Sequence, residues 1–190
     1  MKTLCVFCGS SPGTRPAYTQ AARTLGETLA ERDLSLVYGG GKVGLMGELA
    51  DAVLDNGGNV TGVMPEFLAA KEIAHPDLSK LHLVASMHER KALMAKLADG
   101  FVMLPGGFGT LEEFVEVLTW AQLGLHSKPL GLLNVAGYYD ALLSFFDHTV
   151  SEGFVGQTLR DLILEAPEPA GLLKLMNRQP AAFDKWAKPE

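Results

Sequence analysis

The order of apolar and polar positions divides the chain into short apolar runs and longer amphipathic stretches. Short apolar runs are typical of buried strands, and apolar stripes at helical spacing are typical of helices. The runs predict strands at 3–8, 34–38, 59–64, 81–85, 100–104, 129–135 and 161–164. The stretches between them predict helices at 16–32, 45–54, 88–98, 111–123, 138–152 and 170–177.

Several of the predicted strands show no polar alternation. The runs 102–104 and 130–133 are continuously apolar apart from one glycine, as in strands that helices cover on both faces. Strand–helix alternation over the whole chain is typical of an α/β fold with a doubly wound, mostly parallel sheet and helices on both faces. No repeat or linker interrupts this alternation, so we expect a single domain over residues 1–190.

Composition narrows the classes of protein that fit. The 190 residues carry a formal net charge of -6, and no long run of Lys and Arg suits the phosphates of DNA or RNA. No apolar run approaches the roughly 20 residues of a membrane-spanning helix. The apolar N-terminal run meets a glycine too early to be a signal peptide. We therefore expect a cytoplasmic protein that binds neither nucleic acid nor membrane.

The two cysteines, Cys5 and Cys8, have C-x-x-C spacing within the first predicted strand. Redox pairs of this spacing sit at the start of a helix, whereas side chains three apart in a strand point to opposite faces. Both thiols are therefore expected to be buried and structural. The five histidines show no ligand spacing with cysteine or carboxylate, so we expect no metal.

The segment 105–113, Pro-Gly-Gly-Phe-Gly-Thr-Leu-Glu-Glu, joins a predicted strand to a predicted helix. Backbone N–H groups at a helix N-terminus attract anions, and glycines let a ligand approach the backbone closely. Thr110 fits an N-cap, and Glu113 completes a Thr-x-x-Glu capping box. Glu113 then has two interpretations. It either caps its own helix or lies at the mouth of a ligand crevice as a carboxylate that the helix N-terminus keeps ionised. Spacing favours neither interpretation.

Two further loops should open at the same edge of the sheet, where ligands of such folds bind. Gly39, Gly40 and Gly41 begin a loop that fits a tight turn or a phosphate-binding loop, although it lacks Walker A spacing. Met-His-Glu-Arg-Lys at 87–91 places Arg90 and Lys91 near the start of a helix, where cations oppose the helix dipole. They are either a solvated surface or partners of a phosphate or carboxylate. Neighbours on a helix lie about 100° apart, which predicts different roles for the two.

These three segments, in this order, resemble those of the Lonely Guy family, the cytokinin riboside 5'-monophosphate phosphoribohydrolases. The resemblance covers nearly the whole chain, from Cys8-Gly9-Ser10-Ser11 to the predicted helix at 138. It implies hydrolysis of the N-glycosidic bond of a purine nucleoside 5'-monophosphate, without a cofactor. It also implies a homodimer, which the many apolar residues in the helices at 111–123 and 138–152 favour, although core packing explains them as well.

The resemblance further implies which residues are catalytic and which bind the substrate. Arg90 and Glu113 match the family's catalytic pair. The matching substrate-binding positions are Glu72, Arg90, Lys91, Gly107, Phe108, Gly109, Thr110, Leu111, Glu112, Glu113 and Thr119. The loop at Gly39–Gly41 is a further candidate for binding the nucleotide.

Three alternative functions remain open at this point. An AMP nucleosidase without preference for an N6 substituent would use the same residues. A non-catalytic carrier of a nucleotide or cofactor would use the same loop, but the presence of both Arg90 and Glu113 disfavours it. A pyridoxal phosphate-dependent lysine decarboxylase is disfavoured because only Lys42 and Lys91 lie in the motif loops.

Overall fold

Seven strands form the sheet around which the chain is organised, in a computed structural model that describes residues 1–69 and 74–178. The strands are β1 (Thr3–Phe7), β2 (Ser35–Tyr38), β3 (Val60–Pro65), β4 (Lys80–Val84), β5 (Gly100–Met103), β6 (Leu130–Leu133) and β7 (Ile163–Ala166). The helices are α1 (Pro16–Glu31), α2 (Gly44–Asp55), α3 (Glu66–Ala69), α4 (Met87–Leu97), α5 (Phe108–Gln122), α6 (Asp140–Ser151), α7 (Gln157–Arg160) and α8 (Pro169–Met176).

The strand order is β4-β3-β2-β1-β5-β6-β7, and all neighbouring strands are parallel. The chain winds outward from β1 to β4 and then returns to place β5 on the other side of β1. This confirms the predicted doubly wound α/β fold. In the described ranges, no helix is long and apolar enough to cross a membrane.

Two hydrophobic cores lie on the two faces of the sheet. One contains Leu4, Val6 and Cys8 with side chains of α1, α2 and α8. The other contains Cys5 and Phe7 with side chains of α4, α5 and α6. Both cysteines are free thiols and buried, which confirms the prediction for them. Burial raises the pKa of the Cys8 thiol well above its usual range, so it stays protonated.

The last third of the chain departs from the predicted boundaries. The final strand was predicted at 161–164, and the structure places it at Ile163–Ala166, where it pairs with β6 from Leu130 to Leu133. The short helix α7 just before it was not predicted. A helix of four residues is too short to produce an apolar stripe, so periodicity could not reveal it.

The junction of β1 and β5 determines where a ligand can bind. Just past the two strands, Leu104 N donates to Phe7 O at 2.9 Å and Gly9 N donates to Pro105 O at 3.1 Å. From there the two loops diverge, because α1 and α5 lie on opposite faces of the sheet. Such a switch point leaves a crevice at the carboxyl ends of the strands.

Candidate active site

A cavity of about 310 Å³ lies in this crevice. The first turn of α5 forms one wall, and the loop after β1 and the starts of α2 and α4 form the others. The lining includes seven of the predicted positions, namely Arg90, Gly107, Phe108, Gly109, Thr110, Glu112 and Glu113. Cys8, Gly9, Ser10, Met46 and Met87 complete it.

The start of α5 differs from the prediction and changes the position of Glu113. The helix begins at Phe108 with Gly107 as N-cap, three residues earlier than predicted, and no side chain caps it. Thr110 is therefore a buried residue of the first turn, and the predicted capping box is wrong. A Cβ on Gly106 would overlap the Thr110 side chain, so this glycine lets the helix begin early. Glu113 lies in the second turn and borders the cavity.

The charge of Glu113 also differs from the expectation. Burial raises the pKa of Glu113 from 4.5 to about 7, and the nearby carboxylates Glu112 and Glu116 add to the rise. The cations Arg90 and Lys91 lower the pKa but do not offset the burial. The helix dipole acts mainly within the first turn, which Glu113 does not occupy. The prediction that the helix N-terminus keeps this carboxylate ionised is therefore wrong.

Arg90 reaches the cavity from α4, where it is buried. Ser86 caps that helix by accepting from Glu89 N, and the Glu89 side chain accepts from Ala85 N, so an acidic residue occupies the first turn. Arg90 ends the first turn and Lys91 begins the second. The Ser86 cap and the Glu89 carboxylate thus offset part of the predicted conflict with the helix dipole.

The guanidinium of Arg90 is held against the loop after β2. Its Nη2 donates to Gly39 O at 3.1 Å, and a Cβ on Gly39 would overlap that nitrogen. Among the described residues, Arg90 Nε has no hydrogen-bond partner. A buried cation with an unsatisfied N–H group is costly without a ligand oxygen or water to accept from it. Arg90 is therefore placed and charged to bind an oxygen-rich ligand.

Lys91 faces α5 instead. Its Nζ donates to Glu112 and, at 3.0 Å, to Glu116 Oε1. Burial opposes the charge on this amine, but the two carboxylates outweigh that effect and raise the pKa of Lys91. The structure thus separates the two cations as predicted, with Arg90 at the cavity and Lys91 paired with α5.

The remaining predicted positions lie elsewhere, and Leu111 packs against the hydrophobic core that contains Cys5 and Phe7. Gly39, Gly40 and Gly41 do not appear among the residues that line the cavity, and Gly39 instead contacts Arg90. Thr119 is exposed in the fourth turn of α5, about 13 Å along the helix axis from Thr110. Glu72 lies outside the described residues.

Sequence reasoning missed part of the lining. Ser10, in the loop after β1, and the methionines Met46 and Met87 were not candidates, yet all three line the cavity. The first loop was detectable, because Gly9-Ser10-Ser11 follows the first strand of a doubly wound sheet, where ligand phosphates commonly bind. The methionines carry no such signal, because apolar residues near helix starts are equally typical of a core.

Comparison with known proteins decides the family. The family profile described as "Possible lysine decarboxylase" matches residues 46–176. The cytokinin riboside 5'-monophosphate phosphoribohydrolase LOG7 of Arabidopsis thaliana is 51% identical over 184 residues, which cover 97% of this chain and 85% of the relative. LOG1 of the same plant, with the same enzyme name, is 53% identical over 98% of this chain and 87% of its own. This chain belongs to the Lonely Guy family.

More distant solved structures share the fold of this Lonely Guy protein. The molybdenum cofactor carrier protein of Chlamydomonas reinhardtii superimposes with a TM-score of 0.70 at 20% identity, over 93% of this chain and 96% of that one. The molybdenum cofactor binding protein of Rippkaea orientalis gives 0.69 at 20% identity over the same shares. At this identity the likeness extends to the fold alone.

The raised pKa of Glu113 predicts a pH-dependent effect of Glu113→Gln on stability. Because the pKa is higher in the folded protein than in the unfolded chain, the stability that Glu113 contributes is lost as the pH rises from about 4.5 through about 7. The Glu113→Gln variant has no ionisable group at this position, so it does not lose stability in this way as the pH rises. We expect its free energy of unfolding to exceed that of wild type increasingly between pH 5 and pH 8, by up to roughly 3 kcal/mol.

Urea denaturation of both proteins at several pH values measures this difference. A gap between the two proteins that stays constant from pH 5 to pH 8 would show that the Glu113 carboxyl group is solvated.

Proposed function

We propose that this protein hydrolyses the N-glycosidic bond of adenosine 5'-monophosphates, with N6-substituted ones preferred, and releases the free base and ribose 5-phosphate. The observation that carries the proposal is one cavity that combines the open N-terminus of α5 with Arg90 and Glu113. The names of the Arabidopsis relatives, at 51% and 53% identity over nearly the full chain, support the same reaction.

The first turn of α5 suits the 5'-phosphate. The first hydrogen bond within this helix runs from Leu111 N to Gly107 O, so the N–H groups of Phe108, Gly109 and Thr110 precede it and point out of the helix end. Such N–H groups bind phosphate, and the absence of side chains at Gly107 and Gly109 leaves the approach open. Glu113 lies a turn further along, so the phosphate and the carboxylate need not compete for one position.

Glu113 suits the reacting end of the nucleotide. In the hydrolysis the C1'–N9 bond breaks, water oxygen bonds to C1', and positive charge develops on the ribose in the transition state. An ionised Glu113 stabilises that charge and takes a proton from the attacking water. With a pKa of about 7 it is a stronger base than an ordinary carboxylate, and about half of the molecules carry it ionised near neutral pH.

Arg90 supplies positive charge in the same cavity. Its guanidinium can bind the phosphate or the ribose hydroxyls, or polarise the departing base, whose ring nitrogen must gain a proton in the overall reaction. Any of these uses would satisfy the Nε–H group that has no partner among the described residues.

The test is product analysis after incubation with adenosine 5'-monophosphate and, separately, with its N6-isopentenyl derivative. Chromatography should show free base and ribose 5-phosphate with wild type. Glu113→Gln should lower the rate about 100- to 1000-fold, as expected for loss of one preorganised charged group. Glu27→Gln, which removes an exposed carboxylate on α1, should leave the rate unchanged.

The outcomes separate the alternatives. Equal kcat/KM for the two substrates would indicate an AMP nucleosidase without N6 preference. Tight binding of both nucleotides with no base released by wild type would contradict hydrolysis and favour a carrier. Full activity in Glu113→Gln would contradict the role of that residue while leaving the reaction standing.

We also propose that the protein is a homodimer joined through a groove between α5 and α6. Val115 and Phe145 are 40% and 58% exposed there, beside Leu118 and Phe146. Thr119 lines the same groove, and its hydroxyl donates to Val115 O at 2.7 Å. In a dimer across this groove, Thr119 would face the partner, which is how a residue outside the cavity could belong to a substrate site.

Phe145→Asp should dissociate this dimer, because it places a charge in an apolar interface. Sedimentation equilibrium should give twice the 20.4 kDa of the chain for wild type and about one chain for the variant. Leu175→Asp, at an apolar residue of α8 that is 40% exposed on the other face of the sheet, should remain dimeric. A wild-type protein that sediments as a single chain would contradict the proposal.

A further inference from the structure

The loop that holds Arg90 is itself held by a segment outside the catalytic cavity. His75 N donates to Gly40 O at 3.0 Å, and Ala74 pairs with Gly41 in an isolated antiparallel bridge. Gly40 has φ of +84°, a conformation that glycine adopts readily. Glycine also has the widest range of other backbone conformations, so this residue alone does not fix the shape of the loop. The contacts from residues 74 and 75 therefore restrict a loop that its sequence leaves free.

The imidazole of His75 connects this segment to α2. Its side chain is 1% exposed, and Nε2 lies 2.8 Å from Asp51 Oδ1. Nδ1 accepts from Asp77 N at 3.2 Å. A backbone N–H group can only donate, so Nδ1 carries no proton here and the neutral ring has its proton on Nε2, donated to Asp51. Both ring nitrogens thus have the partners that this one tautomer requires.

We infer that the His75–Asp51 pair is a positioning device for Arg90, acting through the loop Gly39–Gly41. Asp51 on α2 orients the imidazole, and the backbone of His75 fixes the carbonyl of Gly40. The neighbouring carbonyl, on Gly39, accepts from Arg90 Nη2. Rotation of the peptide group between Gly39 and Gly40 would move that acceptor, so a loosened His75 would release the guanidinium from its place at the cavity.

A second histidine in the chain provides a matched control. His126 makes the same local arrangement, with Nδ1 accepting from Lys128 N at 3.1 Å and Nε2 lying 2.8 Å from Val117 O. Its ring packs on Phe101, and it precedes β6, at the edge of the sheet opposite the cavity. Loss of this imidazole should cost stability without affecting Arg90.

The experiment observes Arg90 directly and then through activity. The Nε–H signal of Arg90, assigned in a ¹H–¹⁵N spectrum by its absence in Arg90→Lys, should shift or broaden in His75→Asn and in Asp51→Ala. It should be unchanged in His126→Asn and in Asp51→Asn, which keeps an acceptor oxygen. The first two variants should also lower kcat/KM for adenosine 5'-monophosphate about 10- to 100-fold, a typical effect of displacing a catalytic group by about an ångström.

A double-mutant cycle separates positioning from a general loss of stability. In an Arg90→Gln background, His75→Asn should lower the remaining activity less than twofold, because its target is absent. Equal losses in both backgrounds, or an unchanged Arg90 signal in His75→Asn and Asp51→Ala, would overturn the inference. Should His75→Asn fail to fold, Asp51→Ala carries the test, since the Asp51 side chain is 56% exposed.

The activity readout rests on the proposed hydrolysis, whereas the Arg90 signal does not. A wild-type protein that releases no base would refute the proposed function and leave the spectrum to decide the role of His75.

Discussion

The parallel pairing of β1 with β5 is the constraint on which the other features of the molecule depend. Four register pairs, from Leu4 with Gly100 to Phe7 with Met103, join strands that are far apart in the sequence. The helices that follow the two strands must cover opposite faces, because each face needs its own apolar layer. The loops therefore separate at this point, and the N-terminus of α5 is directed at the gap between them.

Glycine then determines which side chains can enter that gap. At Gly106 the missing Cβ makes room for Thr110, which allows α5 to start at Phe108. At Gly39 it makes room for the guanidinium of Arg90. Both positions share one physical reason, the close approach of a side chain to backbone. Neither glycine has to contact a ligand to be required by the site.

Much of the fold was predictable from the sequence, and for a definite reason. Continuously apolar runs such as 102–104 indicate strands that are buried on both faces of the sheet. This pattern distinguishes the strands of a doubly wound sheet from strands with one solvated face, in which apolar and polar residues alternate. The segments that bring Arg90 and Glu113 together were predictable too, because chain order and the switch point place both loops at one edge of the sheet. The family resemblance added the reaction, which spacing could not supply.

What sequence could not supply were properties that depend on three-dimensional neighbours. The Thr-x-x-Glu spacing at 110–113 matched a capping box, but the space beside Gly106 decided where the helix begins. The charge of Glu113 depends on how much protein surrounds its carboxyl group, which no local spacing encodes. The contact between Gly39 and Arg90 joins the loop after β2 to helix α4, so the glycine loop alone gave no sign of it.

Burial, rather than the helix end, sets the charge of Glu113 in the crevice. The most direct test is an NMR titration of the carboxyl carbon in protein labelled with ¹³C-glutamate, with Glu113 assigned by its absence in Glu113→Gln. We expect a midpoint near the pKa of about 7. A midpoint at or below the ordinary value of 4.5 would contradict it.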